Sequence, residues 1–198
     1  MPLTDAGYFL PSAGGTMVYT ADIDTPAPAD LGTPGADWNV VGHVGDESGD
    51  GDPAFTRDGG DVTTKGSMSK RAIRTITEAV TTGVEMDFTQ FTRDVLALYH
   101  GTDGGTTDGE FAVGANDDGS TETALLIVWR DGNIAVGLYA PRVSWTGRDN
   151  IDTDSVEDAI KIPMAASFLD SPTQTAATGN PLRYKWISPV LLEIPDES

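Results

Sequence analysis

The sequence predicts a mainly β fold with one α-helix, built as a single domain of six to nine strands. Three observations carry that prediction. Val80, Thr82, Val84, Met86 and Phe88 alternate with Thr81, Gly83, Glu85 and Asp87, the period of a strand with one buried face. An Asp131-Gly132 dipeptide separates two apolar runs, which is a strong hairpin signal. Only residues 90–100 place apolar side chains (Phe91, Val95, Leu98, Tyr99) at helical spacing.

Taken in order, residues 1–37 read as an extended N-terminal arm. Pro26, Pro28 and Pro34 punctuate it, and within it only 17–20 and 8–10 look like strand. The folded domain is expected over 38–198. It starts with an apolar run, Trp38 to Val44, that turns into an acidic glycine loop, Asp46 to Gly51. Residues 46–69 are expected to form one long polar loop. Loops of that length in a compact domain are functional or held by a partner.

Thr89 can cap the helix at 90–100, and Gly101 follows its end. Residues 122–129 and 133–145 flank Arg130-Asp131-Gly132 as a hairpin. Ile160, Ile162, Met164, Ala166 and Phe168 alternate again, with Pro163 assigning that strand to an edge or a bulge. Residues 182–187 form the last strand.

Composition removes several function classes. With no cysteine there is no disulfide, thiolate metal site or Cys nucleophile. No apolar run approaches the roughly 20 residues of a membrane helix. Residues 1–15 lack a basic start and an apolar core, so no secretory signal is expected. Thirty-one Asp and Glu against twelve Lys and Arg give a formal charge of -19. Duplex DNA carries a charge about every 1.7 Å of its axis, so tight DNA binding is excluded. Such a charge suits either high salt, where screening makes it harmless, or a surface to which polyanions must not stick.

The search for chemistry is nearly empty. Asp46, Ser48, Asp50 and Gly51 fit positions one, three, five and six of an EF-hand calcium loop. The twelfth position, which needs a bidentate Glu, is Arg57. A cation there repels the metal. The run 149–154 has oxygen ligands but lacks the glycine and closing Glu, so it reads as a surface turn. His43 and His100 have no carboxylate or Ser in a catalytic spacing. Glu85 and Asp87 share one face of a strand, as a glycosidase pair could, but carboxylates on a wet strand face are ordinarily solvated surface. The four tryptophans are scattered through strands and read as core packing. No catalytic, cofactor or metal residue is assigned.

The ordered set of features resembles the major tail tube protein of long-tailed (siphovirus-like) bacterial or haloarchaeal viruses. The arm reaches Trp38-Asn-Val-Val-Gly-His-Val-Gly45, similar to a segment of that family, and an acidic glycine turn follows. A long polar loop leads to Arg71 and a strand over 79–88. The helix ends in Leu98-Tyr99-His100-Gly101, close to the family's Leu-Tyr-(Tyr/His)-Gly. The Asp-Gly hairpin and Ile160-Lys-Ile-Pro-Met-Ala165 come last. Where related tubes carry a Trp near 77–80 and a Glu-Thr before the helix, this chain has Thr77-Glu-Ala-Val80 and Thr89-Gln90.

The resemblance implies a β-sandwich or open barrel whose strands join an inter-subunit barrel. It implies hexameric rings stacked into the conduit for DNA ejection, with no cofactor and no catalysis. Implied partners are further copies of the chain, tail terminator, tail tip and tape measure proteins, and genome DNA passing without specific binding. No membrane is involved. The location is the virion tail, after synthesis in the host cytoplasm.

On that basis Glu85 and Asp87 are expected to face the lumen. Trp38, Asp46, Asp50 and Asp58 are expected at contacts between subunits. Six copies of -19 make -114 per ring, which would repel phosphates from the wall. Two other classes stay open. One is a carbohydrate-binding β-sandwich using Trp38, Trp129 or Trp145 as stacking rings. The other is a secretion-system tube protein of related fold.

Overall fold

The computed structural model describes residues 15–45, 51–67, 70–115, 119–151 and 160–192. Along the chain the elements are β1 (Met17–Ala21), β2 (Asn39–His43), β3 (Ala54–Asp58), β4 (Val62–Ser67), β5 (Lys70–Thr77), β6 (Thr81–Phe88), α1 (Arg93–His100), β7 (Thr121–Asp131), β8 (Ile134–Gly147), β9 (Ile162–Phe168) and β10 (Lys185–Ile187). Eight strands form one antiparallel sheet, ordered β2-β1-β7-β8-β9-β6-β3, with β10 beside the first half of β8. β4 and β5 pair apart from it as a hairpin.

The sheet curls until its two ends meet. Val44, just past β2, bridges Phe88 at the end of β6. Thr89 N–H donates to His43 O at 3.3 Å and Gly45 N–H to Asp87 O at 3.0 Å. The enclosed core holds Val84, Met86, Phe88, Leu125, Ile127, Leu138, Val143, Trp145, Ile162 and Met164. These are the inward halves of alternating strands. α1 packs its Val95, Leu96 and Leu98 into this core, against β8, β2 and β9. Trp145, fully buried, donates its indole N–H to Thr123 Oγ1 at 2.8 Å, so its polar end is satisfied. Further along the same inner face runs a row of rings: Phe55, Phe168, Tyr184, Trp186 and Trp129, with neighbouring centroids 5.3–6.1 Å apart.

The mainly β fold with one helix stands as expected, and several elements differ in detail. The segment 46–69, expected as a loop, carries β3 and β4. β3 pairs its backbone with the free edge of β6, and β4 pairs with β5. Paired backbone needs no apolar periodicity, so nothing in the polar sequence marks these strands.

The helix starts three residues later than expected. Thr89 spends its N–H on His43, which closes the sheet, so Thr92 becomes the cap (φ -115, ψ 161), with its hydroxyl 3.4 Å from Val95 N. Gly101 ends the helix at φ 69, a left-handed conformation suited to glycine. The hairpin turn falls on Gly132-Asn133, with Asp131 pairing Ile134.

Pro163 was expected to mark an edge or a bulge; β9 is not an edge but lies between β8 and β6. The proline sits where the β8 ladder ends. Its carbonyl accepts from Arg148 N–H at 3.0 Å, and the donor it lacks falls beyond the last rung of β8.

Of the expected arm, residues 1–14 lie outside the described residues, and Met17–Ala21 is an interior strand between β2 and β7. Residues 22–37 form a strap over the outer face of β1, β7 and the first half of β8. There Leu31 and Trp38 bury Tyr19, Leu126, Val128 and Tyr139 in a second apolar layer.

Candidate functional site: the bare half of the outer face

The outer surface of the sheet divides at β8. The pairing of β7 with β8 shifts register between Thr123 and Leu125, opposite Ala140 to Val143, which places Pro141 and Arg142 in an irregularity. Before it, β8 turns Tyr139 outward beneath the strap. After it, Arg142, Ser144 and Thr146 point outward, with no layer above them among the described residues.

The rows continue across the sheet. Ser144 pairs Ser167, which pairs Gly83, which pairs Thr56. One rung along, Thr146 pairs Ala165, which pairs Glu85, which pairs Ala54. The result is a surface four strands wide, made of Ser, Thr, Ala and Gly with a few charges.

Those charges are mostly paired. Arg148 donates to Glu85 at 3.1 Å and to Asp87 at 2.9 Å. Arg142 binds Glu122 at 2.7 Å. Asp58 ends β3 and accepts the Gly59 N–H at 2.8 Å. Four carboxylates against two guanidiniums leave this face mildly acidic. Exposed pairs of this kind contribute at most about 1 kcal/mol each, so their role is to set the potential of the face, not to hold the fold. A hollow on it, lined by Thr56, Asp58, Thr81, Glu85 and Ser167, measures about 110 Å³. That is below the roughly 300 Å³ at which ligand pockets begin.

The other residues singled out in the sequence fall elsewhere. Trp38 is buried in its own chain, edge-on to Tyr139 with centroids 6.0 Å apart. Asp46 and Asp50 lie outside the described residues. His43 is exposed on β2, and His100 packs between Tyr99 and Phe111 at the end of α1. Among the described residues no three His, Asp or Glu side chains converge as a metal site would need. Of the tryptophans nominated for sugar stacking, Trp38 and Trp145 are buried and Trp129 stacks on Trp186 at 5.8 Å. Two of the three nominated rings are therefore taken by the chain's own core.

Sequence reasoning missed two polar clusters that hold loops in place. Asp24, at φ 65, accepts from Ser171 Oγ at 2.5 Å and Thr173 Oγ1 at 2.7 Å, while Gln174 donates to Asp24 O at 2.9 Å. Tyr139 donates to Thr25 O at 2.7 Å and accepts from Gln174. Burial pushes the Tyr139 phenol up to about 12, with the Asp24 carboxylate adding to the rise and the Gln174 hydrogen bond opposing it. Together these groups bolt the strap to the 171–174 turn. In the second cluster, Arg93 donates to the carbonyls of Asp103, Gly105, Thr107 and Glu110 and lies 5.8 Å over the Phe111 ring. One guanidinium thus organises the loop after α1. Only the isolated Arg in a Gly- and Asp-rich neighbourhood hints at this in sequence.

Comparison with known proteins finds a matching family and relatives. The profile described as phage tail tube protein matches residues 1–195. The chain is 28% identical to the "Major tail protein Gp23" of Mycobacterium phage L5 over 197 residues, 96% of this chain and 91% of that one. It is 30% identical to the "Major tail protein Gp23" of Mycobacterium phage D29 over 184 residues, 86% of each.

Proposed function

The chain belongs to the phage tail tube protein family, and from that premise we propose that six copies close into a ring, that rings stack into the tail tube of a long-tailed phage, and that the bare face of the sheet lines the bore. Its place is the virion tail, and both relatives are named as tail proteins. The observation that carries the reading is the unequal cover of the sheet. A sheet with a small-residue, four-strand face and an edge at β3 left unpaired among the described residues is suited to side-by-side joining into a larger barrel.

In the assembled tube, genome DNA passes over Glu85, Asp87 and the Ser and Thr rows without specific contact. The acidic excess of -2 per subunit, -12 over six copies, keeps phosphates off the wall, and short polar side chains offer nothing to grip. Tail terminator and tail tip proteins close the two ends, and the tape measure protein occupies the bore. Asp58 and the stretch bearing Asp46 and Asp50 meet the neighbouring subunit. Trp38 serves that contact indirectly, by seating the strap. No catalysis is part of this function.

Two mycobacteriophage relatives favour an actinobacterial host over a haloarchaeal one. The fold should therefore persist at 0.1 M salt (roughly a 10 Å screening length), and unfolding there would point back to a halophile. Negative-stain imaging of the concentrated protein should reveal rings or tubes, whereas a monomer that retains glycans on an array would overturn the tube. The double variant Glu85→Lys with Asp87→Lys should assemble normally and deliver its genome more slowly. Delivery at the wild-type rate would remove these residues from the bore.

A further inference from the structure

The loop after α1 is folded around a single cation. No Lys or Arg occurs between Arg93 and Arg130, whereas Asp103, Asp108 and Glu110 fall within one short stretch of that span. The Arg93 guanidinium meets the stretch through its backbone. Nη1 donates to Asp103 O at 3.0 Å and to Gly105 O at 2.6 Å. Nη2 donates to Thr107 O at 3.0 Å and to Glu110 O. The Phe111 ring backs the guanidinium, with its centroid 5.8 Å from Cζ.

Carbonyl oxygens gathered at one point repel each other unless a cation sits among them. Two observations show that the arrangement serves the loop and not the helix. Arg93 is the first residue of α1, where the helix dipole disfavours a positive charge. The loop also carries bonds of its own that do not involve the guanidinium. Ala112 N–H donates to Gly104 O at 3.0 Å, and Gly105 N–H donates to Asp103 Oδ1 at 3.1 Å. Gly104 lies at φ 68, and a Cβ there would come within 2.3 Å of the Phe111 ring, so the glycine seats that ring behind the cation.

We propose that residues 103–111 form a guanidinium receptor, in which Arg93 is a tethered ligand that a free guanidinium cation can replace. The acceptors select that class of ligand. They come in two pairs, one for each terminal nitrogen, with a flat ring behind. A planar fork of donors fills both pairs at once, whereas a Lys ammonium is a point charge on a flexible stem. Calcium takes six to eight oxygens, more than the four carbonyls that converge here.

The site is open to solvent. Arg93, Asp103, Gly105, Thr107 and Glu110 are all exposed, so shortening the Arg93 side chain leaves a cradle that a dissolved cation can enter. α1 itself is anchored in the core by Val95, Leu96 and Leu98, none of which touches the cradle's function. Removing the guanidinium should therefore loosen the loop and leave the fold.

Hydrogen exchange of the full chain, followed at Ala112 N–H and across residues 103–112, tests this. Arg93→Ala should lose roughly tenfold in protection there while the β7–β8 core keeps its own. Guanidinium chloride at about 20 mM, far below the molar range in which it denatures, should restore most of that loss. Sodium chloride at the same ionic strength and calcium chloride should not, and wild type should respond to none of the three. Arg93→Lys should fall between wild type and Arg93→Ala, and it carries the same test if the alanine variant unfolds. A loop as protected in Arg93→Ala as in wild type would show that the cradle needs no cation. Equal recovery with sodium would reduce the effect to screening, and recovery with calcium alone would assign the carbonyls to a metal. No recovery with any cation would mean that the carbonyls gather only around the tethered side chain. Each of these four results overturns the receptor.

Discussion

Across β1, β7 and the first half of β8, the outer face carries Tyr19, Leu126, Val128 and Tyr139 beneath a strap; across the second half of β8, β9, β6 and β3 it carries Ser144, Thr146, Ser167, Glu85 and Asp87, which no described residue covers. Both halves share one sheet and one inner core, so backbone geometry alone does not explain the difference. Side-chain chemistry assigns the first half to folding and leaves the second free to remain at the surface. Large apolar residues must be covered within the subunit. Small polar residues with paired charges can stay bare before and after assembly. The division lies inside a single strand, β8, at the irregularity around Pro141 and Arg142.

Substitutions should break this contrast in a definite order. Leu126→Ala, in the covered half, removes a fully buried side chain and should cost about 2–5 kcal/mol in denaturant unfolding. Next comes pH. The Tyr139 phenol is raised above its unfolded value of about 10, so its contribution is complete below pH 10 and lost as pH climbs to about 12. A shift of that size corresponds to about 2–3 kcal/mol. Stability should fall across that window, and Tyr139→Phe should flatten the fall; an unchanged slope would remove Tyr139 as its source.

Asp24→Ala strips the acceptor from Ser171 and Thr173 and leaves an alanine at φ 65, so a loss of about 1–3 kcal/mol is expected, with faster hydrogen exchange in residues 22–37. Smallest of all, Glu85→Gln with Asp87→Asn should change stability by less than about 1 kcal/mol. A large loss there would mean the bare face is a folding element, and the contrast would fail.

The periodic parts of the fold were legible. Val84, Met86 and Phe88, the hairpin around Asp131-Gly132 and the inward run Ile162 to Phe168 announce themselves because burial on one face imposes a period of two. The apolar half of the Trp38 segment (Trp38, Val40, Val41 and Val44) reads as packing for Trp38, Val41 and Val44, which are buried, while Val40 is 50% exposed. The helix boundary did not, because Thr89 is taken by a ladder bond to a residue 46 positions earlier. β3 and β4 did not, because an exposed ribbon has no buried face to impose a period. Glu85 and Asp87 were visible as an acidic pair, while Arg148, which neutralises much of that pair, stands 61 residues away from Asp87.

By itself the sequence determined a β-rich chain with one helix, a strong acidic charge, no cysteine chemistry and an order of motifs similar to tail tubes. Composition and local period decide such things, since each depends on neighbours within a few residues. Tertiary structure alone decided which half of the sheet is covered and which carboxylates are paired. Those outcomes depend on strand order and register, and these bring together residues that no local pattern connects.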